Sequence, residues 1–170
     1  MAVLLMNACQ KDCPNRSNDT FTYYKFDNIK KQTFPYHFKD SQVWINLNTN
    51  DTLNYVIKDT ISSYDTISTT HQSECPVYDV DYKEKFSYKF KCLQDSNFNY
   101  NHIFYRDGFI TRNILKFNNI EFVEYGSKLL DIDNNGIIYK NIYVSKYFAE
   151  SDSLGIVRIT VGDVKLYRIK

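Results

Sequence analysis

The segment Asp131-Ile-Asp133-Asn-Asn135-Gly136 places oxygen-bearing side chains at alternate positions and a glycine at the sixth. A calcium loop of the EF-hand type begins this way, because a hard cation takes carboxylate and amide oxygens and the glycine permits the sharp turn. The twelfth position, where a bidentate Glu would sit, is Ile142, and the residues after Gly136 alternate as a strand does. An Asn-Gly hairpin turn is expected there, and no metal site is assigned. His37, His71 and His102 are scattered without the close spacing of zinc ligands and are expected on the polar surface. Asp79 and Asp81 are spaced closely enough to suggest paired carboxylates for glycosidic chemistry. On an alternating strand they share the face opposite the aromatic one, so solvated charges are expected. Gly126-Ser127-Lys128 lacks the surroundings of a nucleophile elbow. These motifs supply no catalytic residue and call for no cofactor.

Cys75 and Cys92 flank an aromatic stretch and form a candidate disulfide. A two-residue turn at Lys83-Glu84 would set them directly opposite, with Cα atoms about 4.5 Å apart, close enough for a bond. One continuous strand would instead hold its ends on the order of 50 Å apart at about 3.3 Å per residue. Trp44 is the single tryptophan. It has the parity opposite to Val43, Ile45 and Leu47, and so is the candidate for an outward binding surface.

Short strands must position these groups. Across a two-residue hairpin, paired side chains share a face. With Asn118-Asn119 as a turn, Phe117 faces Ile120 and Leu115 faces Phe122. With Gly162-Asp163 as a turn, Val161 faces Val164 and Ile159 faces Leu166. Each turn therefore gathers four apolar side chains on one face, and all eight are expected in the core. Asp107-Gly108 gives a weaker match, Tyr105 to Ile110 and Ile103 to Arg112. Pairing Leu47 with Leu53, Ile45 with Tyr55 and Val43 with Ile57 joins two alternating runs through Thr49-Asn50-Asp51. The triplets at Asp51, Asp59 and Asp65 (D-T-L, D-T-I, D-T-I) recur at uneven spacing and make no solenoid. Tyr78, Val80, Tyr82, Phe86, Tyr88 and Phe90 share one parity, as one long strand or as a hairpin with an odd loop would allow. No segment reads as a long amphipathic helix. The expected fold is all-β: an antiparallel sandwich, or a strongly curved barrel-like sheet, of roughly nine to eleven strands.

Composition agrees. Of 170 residues 43% are hydrophobic, enough for a core. Ala occurs only three times, whereas Tyr occurs 15 times and Phe 12 times, which favours strands over helices. Lys and Arg number 21 against 20 Asp and Glu, a net charge of +1. No strong field results, so nucleic acid is not expected as a partner.

The first eight residues, M-A-V-L-L-M-N-A, are too few to span a bilayer, which takes about 20. They read as the remnant of a truncated signal peptide. Leu5-Met6-Asn7-Ala8-Cys9 resembles a bacterial lipobox, in which Cys9 becomes the acylated N-terminus. Acyl chains contribute about 0.8 kcal/mol per buried CH₂ to membrane association. Residues 9–32 then read as the lipid-attachment cysteine and a polar, flexible tether, and residues 33–170 as a single β domain. Lys11 and Asp12 resemble the charged export signal of surface lipoproteins.

Three segments carry a wider resemblance: F-P-Y with D-S-Q-V-W-I-N over 34–46, G-I-I-Y-K-N-I-Y-V over 136–144, and L-G-I-V-R-I over 154–159. Their order resembles small β-rich lipoproteins of the Bacteroidota. Many relatives carry a glycine before the Trp strand, where this chain has Asp40-Ser41. The resemblance implies a β fold and a lipid-anchored place at the outer membrane, facing the periplasm or the cell surface. It carries over no catalytic residue. The expected role is binding or assembly without catalysis, with an envelope protein or glycan as candidate partner. The alternatives are a carrier of an apolar ligand in a half-open barrel and, behind it, an envelope hydrolase.

Overall fold

The computed structural model of the chain describes residues 19–37, 40–71, 77–108, 110–123, 128–134 and 136–169. The fold is all-β, as expected. Among the described residues, twelve strands form a single, strongly curled half-barrel sheet, with no second sheet facing it. β1 (Thr20–Tyr24) and a one-turn helix α1 (Asn28–Gln32) come first. β2 (Ser41–Asn46), β3 (Asp51–His71), β4 (Val77–Cys92), β5 (Tyr100–Asp107), β6 (Ile110–Phe117) and β7 (Ile120–Val123) then run as a meander. β8 (Lys128–Asn134), β9 (Ile137–Val144), β10 (Phe148–Ser151), β11 (Gly155–Val161) and β12 (Val164–Arg168) form a second meander. β12 pairs antiparallel with β2, joining the two meanders. The two edges of the sheet, β7 and β8, are thus consecutive in the chain. β1 lies outside this path and pairs parallel with β4, at Asp79 to Lys83, beyond the stretch that β5 covers.

The turns follow from local chemistry. Asn118 and Asn119 have φ of 50° and 62°, the left-handed pair of a type I′ turn that matches strand twist. The pairs Phe117–Ile120 and Leu115–Phe122 form as the parity rule requires. So do Val161–Val164 and Ile159–Leu166 around Gly162. At the β5–β6 turn the register is shifted by two: Asp107 pairs with Ile110, and Ile103 with Ile114. The aromatic stretch is one strand, with Tyr88 and Phe90 buried on its inner face.

The concave side of the half-barrel is filled. Phe26, Phe34 and Tyr36, from the segment around α1, are buried inside it with Trp44, Tyr55, Phe90, Tyr100 and Phe104. Phe34 stacks on Phe104, with ring centroids 4.4 Å apart, and Tyr36 meets Phe90 edge-on at 4.8 Å. Asp27 starts α1, its carboxylate accepting the Lys30 N–H at 2.6 Å. The buried Glu84 carboxylate accepts the Phe26 N–H at 2.8 Å and the Lys31 ammonium at 2.7 Å, so the charge is paired at both oxygens. A smaller core lies on the outer side. There the tip of the β8–β9 hairpin crosses β11 and β12: Asn134 Nδ2 donates to the Val157 carbonyl and Tyr139 Oη to that of Arg168, both at 2.9 Å. Ile132, Ile142, Ala149 and Val157 are buried beneath it.

Two expectations are corrected. Residues 20–32 are not a flexible tether in full, because β1, Phe26 and α1 belong to the folded domain. On β2 the inward face is the even one. Asn46 pairs with Asp51 around a four-residue turn, so Trp44 falls opposite Leu53 rather than Leu47 opposite Leu53. Leu53, Tyr55 and Ile57 do face the core, and paired side chains share a face, so Trp44 must face it too. Trp44 is 0% exposed and Leu47 is 37% exposed in the turn. The polar neighbours of Trp44 disguised the face: Gln42 is buried because its Oε1 accepts both Trp44 Nε1 at 2.9 Å and Tyr100 Oη at 2.7 Å.

Candidate functional site

Among the described residues, the two arms of the half-barrel approach each other without strand pairing. β5 and β6 stand on one side, β9 and β10 on the other, and Phe34-Pro35 closes the floor between them. Phe122 of β7 touches Tyr147, just before β10, with ring centroids 4.7 Å apart. The remaining gap is an open cleft of about 260 Å³, lined by Thr111 and Asn113 of β6, Tyr143 of β9, Glu150 of β10, Asp152 and Lys30. A second cleft of about 290 Å³ continues from it past Lys30 and Thr111 to Asp27 and Arg106. Together they make a groove alongside α1. Its walls carry hydroxyl, amide, carboxylate and ammonium groups, and its aromatic surface comes from Phe34, Phe104 and Tyr143.

Under this groove a polar chain ties the plug to both arms. The Ile156 N–H donates to Tyr36 Oη at 2.7 Å. The Tyr36 hydroxyl proton is then free for His102 Nδ1, 2.9 Å away. The other ring nitrogen, His102 Nε2, lies 3.6 Å from Glu150 Oε1. His102 is 0% exposed, and burial pushes its pKa down to about 3, so the ring stays neutral. Burial, reinforced by the nearby Glu150, holds the Tyr36 phenol well above its ordinary value. Neither group exchanges protons near neutral pH. Gly155 makes this close approach possible: at φ +74°, a Cβ on it would come within 2.1 Å of the Tyr36 ring.

The residues singled out by type and spacing are not brought together here. Trp44 lies in the core and offers no binding surface. His102 is buried, contrary to the expectation of a surface histidine, because it pairs opposite Leu115 on the inner face. His37 is exposed, and the side chain of His71 lies outside the described residues. Asp79 and Asp81 sit opposite Thr20 and Thr22 of β1, and Thr20 Oγ1 donates to Asp79. Asp131 and Asp133 lie on β8, whose last residue Asn134 pairs with Ile137 of β9: Asp133 accepts the Gly136 N–H at 2.6 Å and Asp131 the Asn141 N–H at 2.9 Å. Among the described residues, no three His, Cys, Asp or Glu side chains are grouped to hold a metal ion. Cys92 is a buried free thiol at the end of β4. Its candidate partner Cys75 lies outside the described residues, as does Cys9.

Sequence reasoning missed the groove. Phe148–Ser151 is a buried strand, and no sequence motif singled it out. The signal was there in F-A-E-S, an acid directly after two apolar residues, but no local rule says that Glu150 meets His102 of the other arm. Comparison with protein-family models, curated proteins and solved structures finds no match to this chain, so its reading rests on this geometry and on its sequence.

Proposed function

We propose that the chain is a lipid-anchored cell-envelope protein with a binding or assembly role and no catalytic activity, held at the outer membrane through Cys9. The groove between the two arms is the observation that carries the binding role. It is open, lined by hydrogen-bonding and charged groups beside Tyr143, and lies over a rigid floor of buried aromatics. Such walls suit a hydroxylated partner such as an envelope glycan, whose C–H faces pack on an aromatic ring and whose hydroxyls bond to carboxylates and amides. The carrier reading is less favoured, because Phe26, Phe34 and Tyr36 occupy the interior that an apolar ligand would need. The anchor rests on Leu5-Met6-Asn7-Ala8-Cys9 and on the resemblance to Bacteroidota lipoproteins.

Two measurements test these parts separately. With a full signal peptide placed upstream, Cys9→Ala should move the protein out of the membrane fraction. Retention after a high-salt wash would refute the anchor. Titration with peptidoglycan fragments and with lipopolysaccharide core oligosaccharide should perturb amide resonances around Thr111, Tyr143 and Asp152 and be abolished by Tyr143→Ala. Perturbations confined to other surfaces would refute the groove as the binding site.

A further inference from the structure

The long β3–β4 ribbon extends past the rest of the sheet. β2 leaves β3 at Val56, and a bulge between Ile57 and Asp59 marks the departure. From Lys58 to His71, no strand among the described residues pairs with the edge of β3 that faces away from β4. Exposed edges are normally blunted by shortness, proline, lysines or bulges. This one is long, contains neither Pro nor Gly, and carries Lys58 only at its start. Its two carboxylates are already neutralised by β4: Asp59 by Lys89 at 3.5 Å and Asp65 by Lys85 at 2.8 Å. Tyr64 and Ile67 are each 44% exposed on it.

We propose that this edge pairs antiparallel with the same edge of a second copy of the chain, about a two-fold axis at Tyr64. Residues whose N–H and C=O point out of an edge must face one another, so paired positions in a self-pairing have the same parity. Centring on Tyr64 sets Lys58 opposite Thr70, Asp59 opposite Thr69 and Ser63 opposite Asp65. Ile61 then meets Ile67 twice, and Tyr64 meets its own copy. No like charges oppose. The neighbouring allowed registers are worse: one sets Asp65 against Asp65, the other sets Ile61 against Asp65. The recurring D-T-I triplet thereby gains a role. Its six-residue spacing keeps Ile61 and Ile67 on one face and places them three positions either side of Tyr64. A two-stranded ribbon is marginal in water by itself, and this pairing doubles its strand number. The two-fold makes the contact self-limiting, so it closes as a dimer and does not propagate.

Sedimentation equilibrium of the full chain should show a monomer–dimer equilibrium. Tyr64→Lys, which sets two ammonium groups across the axis, should leave a folded monomer by circular dichroism. Tyr64→Cys should form an interchain disulfide on mild oxidation, because the two Cα atoms lie about 4.5–5.5 Å apart across the axis. Thr66→Cys, which faces Ser62, should not. A chain that stays monomeric from micromolar to submillimolar concentration would overturn the proposal, showing an edge covered by its own chain or kept for a different partner. So would a dimer that Tyr64→Lys leaves intact, or cross-linking as efficient through Thr66→Cys as through Tyr64→Cys.

Discussion

The β6–β7 and β11–β12 hairpins start from the same device: a two-residue turn with four apolar side chains on one face. In both, the pairing follows the parity rule residue for residue. Their burial differs. On β11–β12, Ile159 and Leu166 are fully buried, and Val161 and Val164 pack against the main core. On β6–β7, Leu115 and Phe117 are buried, Phe122 is half-buried, and Ile120 is 58% exposed. β11 and β12 lie inside the sheet with strands on both sides, whereas β7 is an edge. Turn chemistry thus chooses the face of a side chain, and the position of its strand in the sheet decides whether anything covers that face.

If this is right, the largest losses come from positions covered in both hairpins. Phe117→Ala should cost about 3–5 kcal/mol and Leu166→Ala about 2–5 kcal/mol in denaturant melts. A mild Phe117→Ala would remove the inner face of β6 from the core. Next come the two left-handed glycines at the ends of β11, Gly155 at its start and Gly162 just past it. Gly155→Ala should cost about 2–4 kcal/mol, since backbone strain adds to a clash with the Tyr36 ring. Gly162→Ala, at φ +58° with nothing near it, should cost only about 1 kcal/mol. Equal losses would mean that the plug does not press on β11.

Acid should separate the two hairpins further. His102 lies opposite Leu115, on the β6 side. Its folded pKa is pushed down to about 3, against about 6.5 in the unfolded chain. Below pH 6.5 the unfolded chain binds a proton that the folded one refuses, so stability falls as pH drops towards 3. The slope approaches about 1.4 kcal/mol per pH unit from this group. Melts of the parent and of His102→Gln between pH 7 and pH 4 should show a shallower dependence in the variant. Identical slopes would place the proton uptake elsewhere. The smallest effect is expected at Ile120→Ala, within about 0.5 kcal/mol, because solvent already reaches that side chain. A loss comparable to that at Phe117 would mean that the β7 edge is covered after all.

From sequence alone, local rules determined the β class, the Asn118-Asn119 and Gly162-Asp163 turns, and the inner face of β4 from Tyr88 to Phe90. These depend on backbone preferences at single residues and on a two-residue period, both of which act within a few positions of the chain. Tertiary structure alone decided the rest. Pairing of β12 with β2 joined the ends of the two meanders. The register between β2 and β3 turned Trp44 inward, although alternation pointed it out. The segment around α1, read in part as tether, became the plug because the curled sheet left a concave aromatic face that Phe26, Phe34 and Tyr36 cover. The groove exists because that same curl stops short of closing, leaving Glu150 and Tyr143 across from Asn113 and Thr111. Hydrophobic burial is non-directional, so a sequence pattern announces that a face is apolar without naming the distant segment that will cover it.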